Sequence, residues 1–491
     1  MKLLDVMSSI PFYNSNQPIA KDIEIQNIQI DHRFIENGDM FICIRGFTVD
    51  GHDFSTSAIE NGAKVVVVEK EVDVPEDVIV IQVPYTIRAL ALIASAFYQY
   101  PSNKFPLIGI TGTNGKTTIT YVLEKIFKSH ELKAGIIGTI QMKIGEDVLP
   151  VKNTTPDALL LQRVFHKMVE ANVDITIMEV SSHALDMGRV SGTDFDIAVF
   201  TNLTQDHLDY HQNMDDYLRA KTLLFTGLGN GYALEQKFAV LNADDIHSRI
   251  IAKSTSQPIV TYGIERVADI TAEQIVYGIK GMQFQLVTPK GTVPIHTTLI
   301  GKFNIYNILA AVSVAVLQHI PLDIIKYAIE HISGVDGRFQ QVDIGQDFAV
   351  IVDYAHTPDS LENVLATIQE FATKNIYVVV GTGGDRDKSK RPLMSNIAVN
   401  YGDWTILTSD NPRTEKPEDI LADMTYQLKS TNVEVIVQRQ EAIEKAVSYA
   451  KSGDVILIAG KGHETYQEIN GVRYAFDDRD IAKAAIEQKE Q

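Results

Sequence analysis

Thr111-Gly-Thr-Asn-Gly-Lys-Thr-Thr118 is the segment best equipped for chemistry. Its glycines let backbone N–H groups come close to a phosphate, and a helix start adds partial positive charge. Lys116 would reach the terminal phosphates of a nucleotide, and the Thr117 hydroxyl could ligate Mg²⁺. The general phosphate-loop pattern wants glycine five residues before Gly115. Ile110 stands there, and Gly112 is the glycine instead. A chance GKT at a helix entry is the bland alternative. The apolar strand before and the amphipathic helix after, with Ile119, Val122, Leu123, Ile126 and Phe127 on one face, favour ATP. Thr111, Gly112, Thr113, Asn114, Gly115, Lys116 and Thr117 are therefore the expected nucleotide cradle.

Glu179 ends the apolar run Ile175-Thr-Ile-Met-Glu179. In an open α/β sheet the carboxyl ends of strands face the ligand crevice, where a carboxylate can hold Mg²⁺. Taken alone it could equally cap a helix. Asp206, His207, Asp209 and His211 follow another strand within six residues, a density that suggests a metal or phosphate site. Four further strands run into polar loops: Asp353-Tyr-Ala-His356, Gly381-Thr-Gly-Gly-Asp-Arg-Asp-Lys388, Ser409-Asp-Asn-Pro-Arg413 and Gly460-Lys-Gly-His-Glu464. By the crevice rule they converge into a binding face for a polar, zwitterionic ligand.

The elements that position these residues alternate strand and helix, with strands at 175–178, 197–200 and 238–241, then at 348–352, 376–380, 405–408, 433–437 and 455–459. This predicts an α/β chain built on mostly parallel sheets with helices on both faces. A linker is expected at Pro101–Pro106 and a second boundary near 333–337. At 491 residues the chain is long enough for about three domains. A net charge of -19 argues against nucleic acid and anionic lipid as partners. Cys43 is the single cysteine, which fits a reducing cytosol and excludes an internal disulfide. Asp5 interrupts what a secretory leader would need, and 305–320 is too short and polar to span a bilayer, so it is expected as a core helix.

In order along the chain, TGTNGKTT, EVSSH, TNLTQDHLDYH, GKFNIYN, DYAHTP, GGDRDKSKRP, DNPR and GKGHE resemble the Mur ligases of peptidoglycan synthesis. The resemblance covers nearly the whole chain, and DNPR with GKGHE is its most specific part. It implies a three-domain architecture: 1–103 for the UDP-substrate, 104–334 as a central phosphate-loop ATPase domain, and 335–491 as a Rossmann-like amino-acid domain. It also implies ATP-driven amide formation through an acyl phosphate, on the branch that adds a third amino acid to a UDP-muramoyl dipeptide.

By that resemblance Lys116, His207 and Lys221 are catalytic. Thr117, Glu179, His207 and Lys221 as a carbamate hold Mg²⁺. Asn304, Arg338 and Asp353 contact ATP from beyond the loop. The UDP-substrate meets Ile30, His32, Phe47, Thr48 and Val49, then Asn153, Thr154, Thr155, Ser181 and Arg189. Many members read Asp-Ser-Arg where Asp31-His32-Arg33 stands here. Arg386, Asp410, Asn411, Pro412, Arg413, Gly460 and Glu464 fall where the incoming amino acid binds. DNPR is the pattern of the branch using meso-diaminopimelate, whose far carboxylate suits Arg413. The competing readings are the L-lysine-adding version, a folylpolyglutamate-type ligase, and a nucleotide-binding regulator without turnover. The implied partners are small molecules only, with a monomeric cytoplasmic enzyme and no membrane insertion.

Overall fold

The computed structural model describes residues 1–46, 49–151, 153–208, 210–229, 236–278, 281–332 and 334–490. Three main sheets organise them. The first has five strands in the order Asn14–Ser15, Ile79–Gln82, Val65–Val68, Met40–Ile42, Ile28–Gln29. Only Asn14–Ser15 runs antiparallel to its neighbour.

The second sheet has eleven strands, and its middle is parallel: Ile259–Gly263, Phe238–Asn242, Ile197–Phe200, Leu107–Thr111, Ile175–Glu179, Ala134–Ile137. These strands are nearly continuous apolar runs because helices cover both faces. Leu107–Thr111 lies between Ile197–Phe200 and Ile175–Glu179, pairing Phe200 with Thr111 and Glu179 with Ile110. That register sets Glu179 beside the glycine-rich turn. The helix Lys116–Ser129 then buries Ile119, Val122, Leu123, Ile126 and Phe127 as its spacing predicts.

The expectation of mostly parallel pairing needs correction at both edges of this sheet. Ile270–Gly278, Gly281–Thr288 and Gly291–Thr297 form an antiparallel arm, and Met142–Ile144 with Asp147–Leu149 form another. A register shift between Glu273 and Val276, with Gln274 at φ 52°, breaks the alternation that would betray the first of these strands. The expected linker is no loose tether either. Pro101–Lys104 is a 3₁₀ turn with Pro101 and Ser102 buried, where Ser102 Oγ accepts from Asp194 N (3.2 Å) and Phe105 meets the Phe165 ring. The apolar stretch near 305–320 is a core helix, Lys302–Leu317.

The third sheet orders Gln340–Gln341, Ala349–Asp353, Val455–Ala459, Ile376–Val380, Trp404–Leu407, Val433–Val435, all parallel after the first. Its four polar loops leave the same edge. A small hairpin, Tyr466–Ile469 with Val472–Ala475, lies beside them, bridged at Arg413 to Ile469. Trp404, the single tryptophan, stands edge-on to Tyr449 with ring centres 6.1 Å apart.

The joints between the units differ. Ala158 and Leu159 of the helix Ala158–Glu170 share an apolar cluster with Leu3, Ile42 and Ile93 of the first unit. The third unit meets the second through Ile300 and Phe303 against Phe339, and through polar contacts described below. Among the described residues, no helix is long and apolar enough to cross a membrane.

Candidate active site

A cavity of about 770 Å³ opens between the second and third sheets. Gly112, Thr113, Asn114, Gly115 and Lys116 line it. Two glycines are required by space as well as by conformation. A Cβ on Gly112 (φ 149°) would lie 1.8 Å from Thr201 Oγ1, and one on Gly115 (φ 91°) would lie 2.3 Å from Asn307 Oδ1. The turn is braced from outside: Thr201 Oγ1 donates to Asn114 O (2.7 Å), and Asn114 N donates to Asn202 Oδ1 (2.9 Å). Thr111 ends its strand buried and does not line the cavity.

Lys116 Nζ folds back to donate to Gly112 O (2.9 Å) and Thr113 O (2.7 Å). Lys221, from the helix Met214–Thr226, donates to the same Gly112 carbonyl at 2.8 Å and is 1% exposed. Two lysine amines thus crowd one oxygen. Burial lowers both amines from the usual lysine range, Lys221 well below it, and Lys116 adds repulsion to Lys221.

Glu179 is held by three donors: Thr117 Oγ1 (3.1 Å) and Thr139 Oγ1 (2.9 Å) on Oε2, and Thr139 N (3.0 Å) on Oε1. The hydroxyl expected to meet a metal and the carboxylate expected to join it are therefore in contact. His207 lines the cavity at φ 55°, and burial pushes its imidazole down to about 4, although Asp206 pulls the other way. The dense acid and imidazole cluster divides. Asp206 and His207 face the cavity, Asp209 lies outside the described residues, and His211 is buried with Nε2 3.0 Å from Ser182 Oγ. The reading of His211 as part of a metal or phosphate site is corrected: packing claims it.

Asn153, Thr154, Thr155, Ser181 and Arg189 line one wall together. Thr155 Oγ1 donates to Glu179 O (2.8 Å) and accepts from Ser181 N (3.0 Å), while Arg189 Nη1 donates to Thr155 O (3.1 Å). From the third unit come Arg338, Asp353, Tyr354 and His356. The Arg338 guanidinium lies over the Tyr354 ring at 4.8 Å, and its buried Nε has no hydrogen-bond partner among the described residues. Asp353 accepts from Phe339 N (2.6 Å), and burial raises its carboxyl to about 6. Asn304 stays behind the wall. It donates to Ile300 O (2.8 Å) and accepts from Asn307 Nδ2 (3.0 Å), and Asn307 is the one that lines the cavity. Its signal was the three-residue spacing within GKFNIYN. Asp359 was also missed. It accepts from Thr204 Oγ1 (2.8 Å) and Asn114 Nδ2 (3.4 Å), linking the third unit to the glycine-rich turn.

The four polar loops do meet. Gly460 lets Asp410 approach, since a Cβ there would be 2.6 Å from Asp410 Oδ2. Asn411 Nδ2 donates to Glu464 Oε2 (2.8 Å), and Gly384 N donates to Asn411 O (2.9 Å). Pro412 is buried, and Arg413, at φ 51°, donates from Nη1 to Gly384 O (2.6 Å). Arg386 is exposed on the neighbouring loop. Sequence reasoning passed over Lys461 in the same cluster.

In the first unit His32 stacks on Phe54, with ring centres 4.5 Å apart and planes 8° apart. Ile30 and His32 are half-buried and Val49 is exposed; none of the three lines the central cavity. Phe47 and Thr48 lie outside the described residues.

Three family models match in chain order: the Mur ligase family catalytic domain over 24–98, the Mur ligase middle domain over 110–315 and the Mur ligase glutamate ligase domain over 337–462. A curated UDP-N-acetylmuramoyl-L-alanyl-D-glutamate–2,6-diaminopimelate ligase of Oceanobacillus iheyensis is 54% identical over the full length of both chains. The chain belongs to the Mur ligase family. The ligase of the same name from Bacillus cereus is 53% identical over 94% of each chain. A solved structure, also titled UDP-N-acetylmuramoyl-L-alanyl-D-glutamate–2,6-diaminopimelate ligase, superposes with a TM-score of 0.72 at 33% identity, covering 99% of both chains. This Mur ligase chain thus gathers residues of its glycine-rich turn, the strand end at Glu179 and the polar loops of the third sheet into one cavity and one loop cluster.

Proposed function

We propose that this chain is the ATP-dependent ligase that joins meso-2,6-diaminopimelate to UDP-N-acetylmuramoyl-L-alanyl-D-glutamate. The observation that carries the reading is the shared cavity: the glycine-rich turn, Glu179 and the Asn153–Arg189 wall face Arg338 and Asp353 across it. Residues 1–103 would hold the uridine end, 104–334 the ATP and 335–491 the incoming amino acid.

In this reading the dipeptide's terminal carboxylate attacks the γ-phosphate of ATP, giving an acyl phosphate and ADP. The amine of diaminopimelate then adds to the acyl carbon, and phosphate leaves from the tetrahedral intermediate. Phosphoryl transfer needs positioning and charge neutralisation above all. Lys116 exchanges its two loop carbonyls for phosphate oxygens. Arg338 offers a second cation with an unused N–H. Arg189 and the Thr155–Ser181 pair orient the substrate at the strand end.

Mg²⁺ fits the residues present: the Thr117 hydroxyl and Glu179 carboxylate are hard oxygen donors, and the His207 ring is neutral near pH 7. Bound there, the ion would neutralise phosphate charge. Lys221 as an ammonium does not suit a cation. Its low pKa favours the neutral amine, which can take up CO₂ to form a carbamate carrying the opposite charge. Activity is expected to fall in CO₂-depleted buffer and return with bicarbonate, with a matching mass increase on Lys221. Full activity with unmodified Lys221 would remove this element.

L-lysine is the second reading for the amino acid. Arg413 beside Asp410 and Asn411 favours diaminopimelate, because a far carboxylate can pair with the guanidinium. A coupled ADP-release assay with UDP-MurNAc-L-Ala-D-Glu and both amino acids decides it. Equal or better kcat/KM for L-lysine would overturn the diaminopimelate assignment.

A further inference from the structure

Lys461 is fully buried at 0% exposure, an unusual place for an ammonium group. Its Nζ donates to Glu464 Oε2 (2.9 Å) and to Asn411 Oδ1 (2.9 Å), and stands 5.4 Å from the centre of the Tyr466 ring. Asn411 closes the triangle through Nδ2 to Glu464 Oε2 (2.8 Å). Asn411 Oδ1 also accepts from Glu468 N (3.0 Å). The orientation of the Asn411 amide is thereby set, with oxygen toward the ammonium and nitrogen toward the carboxylate.

Resting on the amino-acid site proposed above, we propose that Lys461 is a positioning and specificity-determining residue for the incoming amino acid, acting through Glu464. Both bonds fall on Oε2 and neither uses Oε1. Without the ammonium, Glu464 would lose its ion pair at 2.9 Å, and its carboxylate would no longer be held in one orientation. The surroundings sharpen this. Arg439 is buried and paired with buried Asp478 (2.7 Å), and spends its other N–H groups on the carbonyls of Ala459 (3.0 Å) and Ser409 (3.4 Å). Arg439 therefore braces main chain, whereas among the described residues Lys461 Nζ donates to side chains alone. Lys461 answers Glu464 and Arg439 answers Asp478, which leaves Asp410 for one ligand ammonium. Arg413 remains for that ligand's carboxylate. The cluster is matched to a zwitterionic amino-acid end.

The test is steady-state kinetics of the full-length enzyme with meso-diaminopimelate, ATP and UDP-MurNAc-L-Ala-D-Glu varied in turn. Lys461→Met is expected to raise KM for diaminopimelate on the order of 30-fold, the effect of orphaning one partner of a buried charge pair, with KM for ATP unchanged. Glu464→Gln alone should raise the same KM, and the double variant Lys461→Met/Glu464→Gln should be no worse than Glu464→Gln, because the lysine acts through that carboxylate. Lys461→Gln, which retains a donor but no charge, is prepared alongside in case Lys461→Met does not fold. A diaminopimelate KM that stays at the wild-type value in either variant overturns the proposal. So does an equal rise in all three KM values, or full additivity in the double variant. Wild-type ADP release that ignores every amino acid would instead overturn the underlying reading, and this proposal with it.

Discussion

The two halves of the site handle charge in opposite ways. In the central cavity, Lys116 and Lys221 both turn back onto the carbonyl of Gly112, and among the described residues neither forms an ion pair there. In the third unit, Lys461 meets Glu464 and Arg439 meets Asp478. A backbone carbonyl is a weak partner for a buried amine, so burial depresses both lysines, and Lys116 waits for an anion that the ground state does not give it. A polyphosphate supplies what is missing. The second half is balanced to within one charge before any ligand arrives. One region is thus built to be completed by its substrate, and the other to select a substrate by fit.

The largest effect should come from the charge-deficient half. Lys116→Ala is expected to cost ~10²–10³ in kcat, the usual loss when a preorganised charge is removed. Its melting temperature should hold, because the lost ammonium was disfavoured by burial. Near-normal turnover in a folded variant would break the contrast. Next, Arg413→Ala should lower the preference for meso-diaminopimelate over L-lysine by about 2 kcal/mol. That is the low end of the range for a charge partner, because Arg413 is only half-buried. An unchanged kcat/KM ratio would mean that selection lies elsewhere.

Asp353 tests whether the cavity stores unfavourable charge. Its carboxyl is raised by burial from 3.8 to about 6. Well below pH 3.8, both folded and unfolded states hold the proton, so nothing is lost. Between about 4 and 6 the unfolded chain ionises first, and stability drains as pH rises. Asp353→Asn keeps an acceptor for Phe339 N and removes that loss. Thermal unfolding should show the unliganded variant more stable by about 2 kcal/mol at pH 7, with the gain shrinking as pH falls and vanishing below the unfolded value of 3.8. A pH-independent gain would refute the charge argument. The smallest effect belongs to Asp359. Asp359→Ala should raise KM for ATP at most about fivefold, the value of one net hydrogen bond, and small-angle scattering should show a larger radius without ligand. An unchanged radius would deny Asp359 any part in holding the units together.

The sequence made the parallel strands legible because both faces of each are buried, which leaves uninterrupted apolar runs such as Val455–Ala459. Loops at the ends of those strands carried the chemistry, so most site residues were legible with them. The antiparallel arm was not, because a bulge at Gln274 scrambles the period of two. Asn304 was placed in the cavity by resemblance, yet one helical turn of geometry hands the wall to Asn307. Lys461 and Asp359 escaped notice for a common reason. Their meaning lies in partners brought near by the fold, Asn411 and Asn114, which are 50 and 245 positions away.

Trp404 offers an optical consequence. The chain's single indole sits on a strand of the third sheet, half-buried against Tyr449, and the first and second sheets contain no tryptophan at all. Light absorbed at the red edge of the protein band is therefore emitted from one unit only. The melting of that unit can be followed in the intact chain as a change in emission colour, while circular dichroism records all three together. The gap between the two signals measures how far the last unit unfolds on its own, and how strongly nucleotide in the cavity ties its fate to the rest.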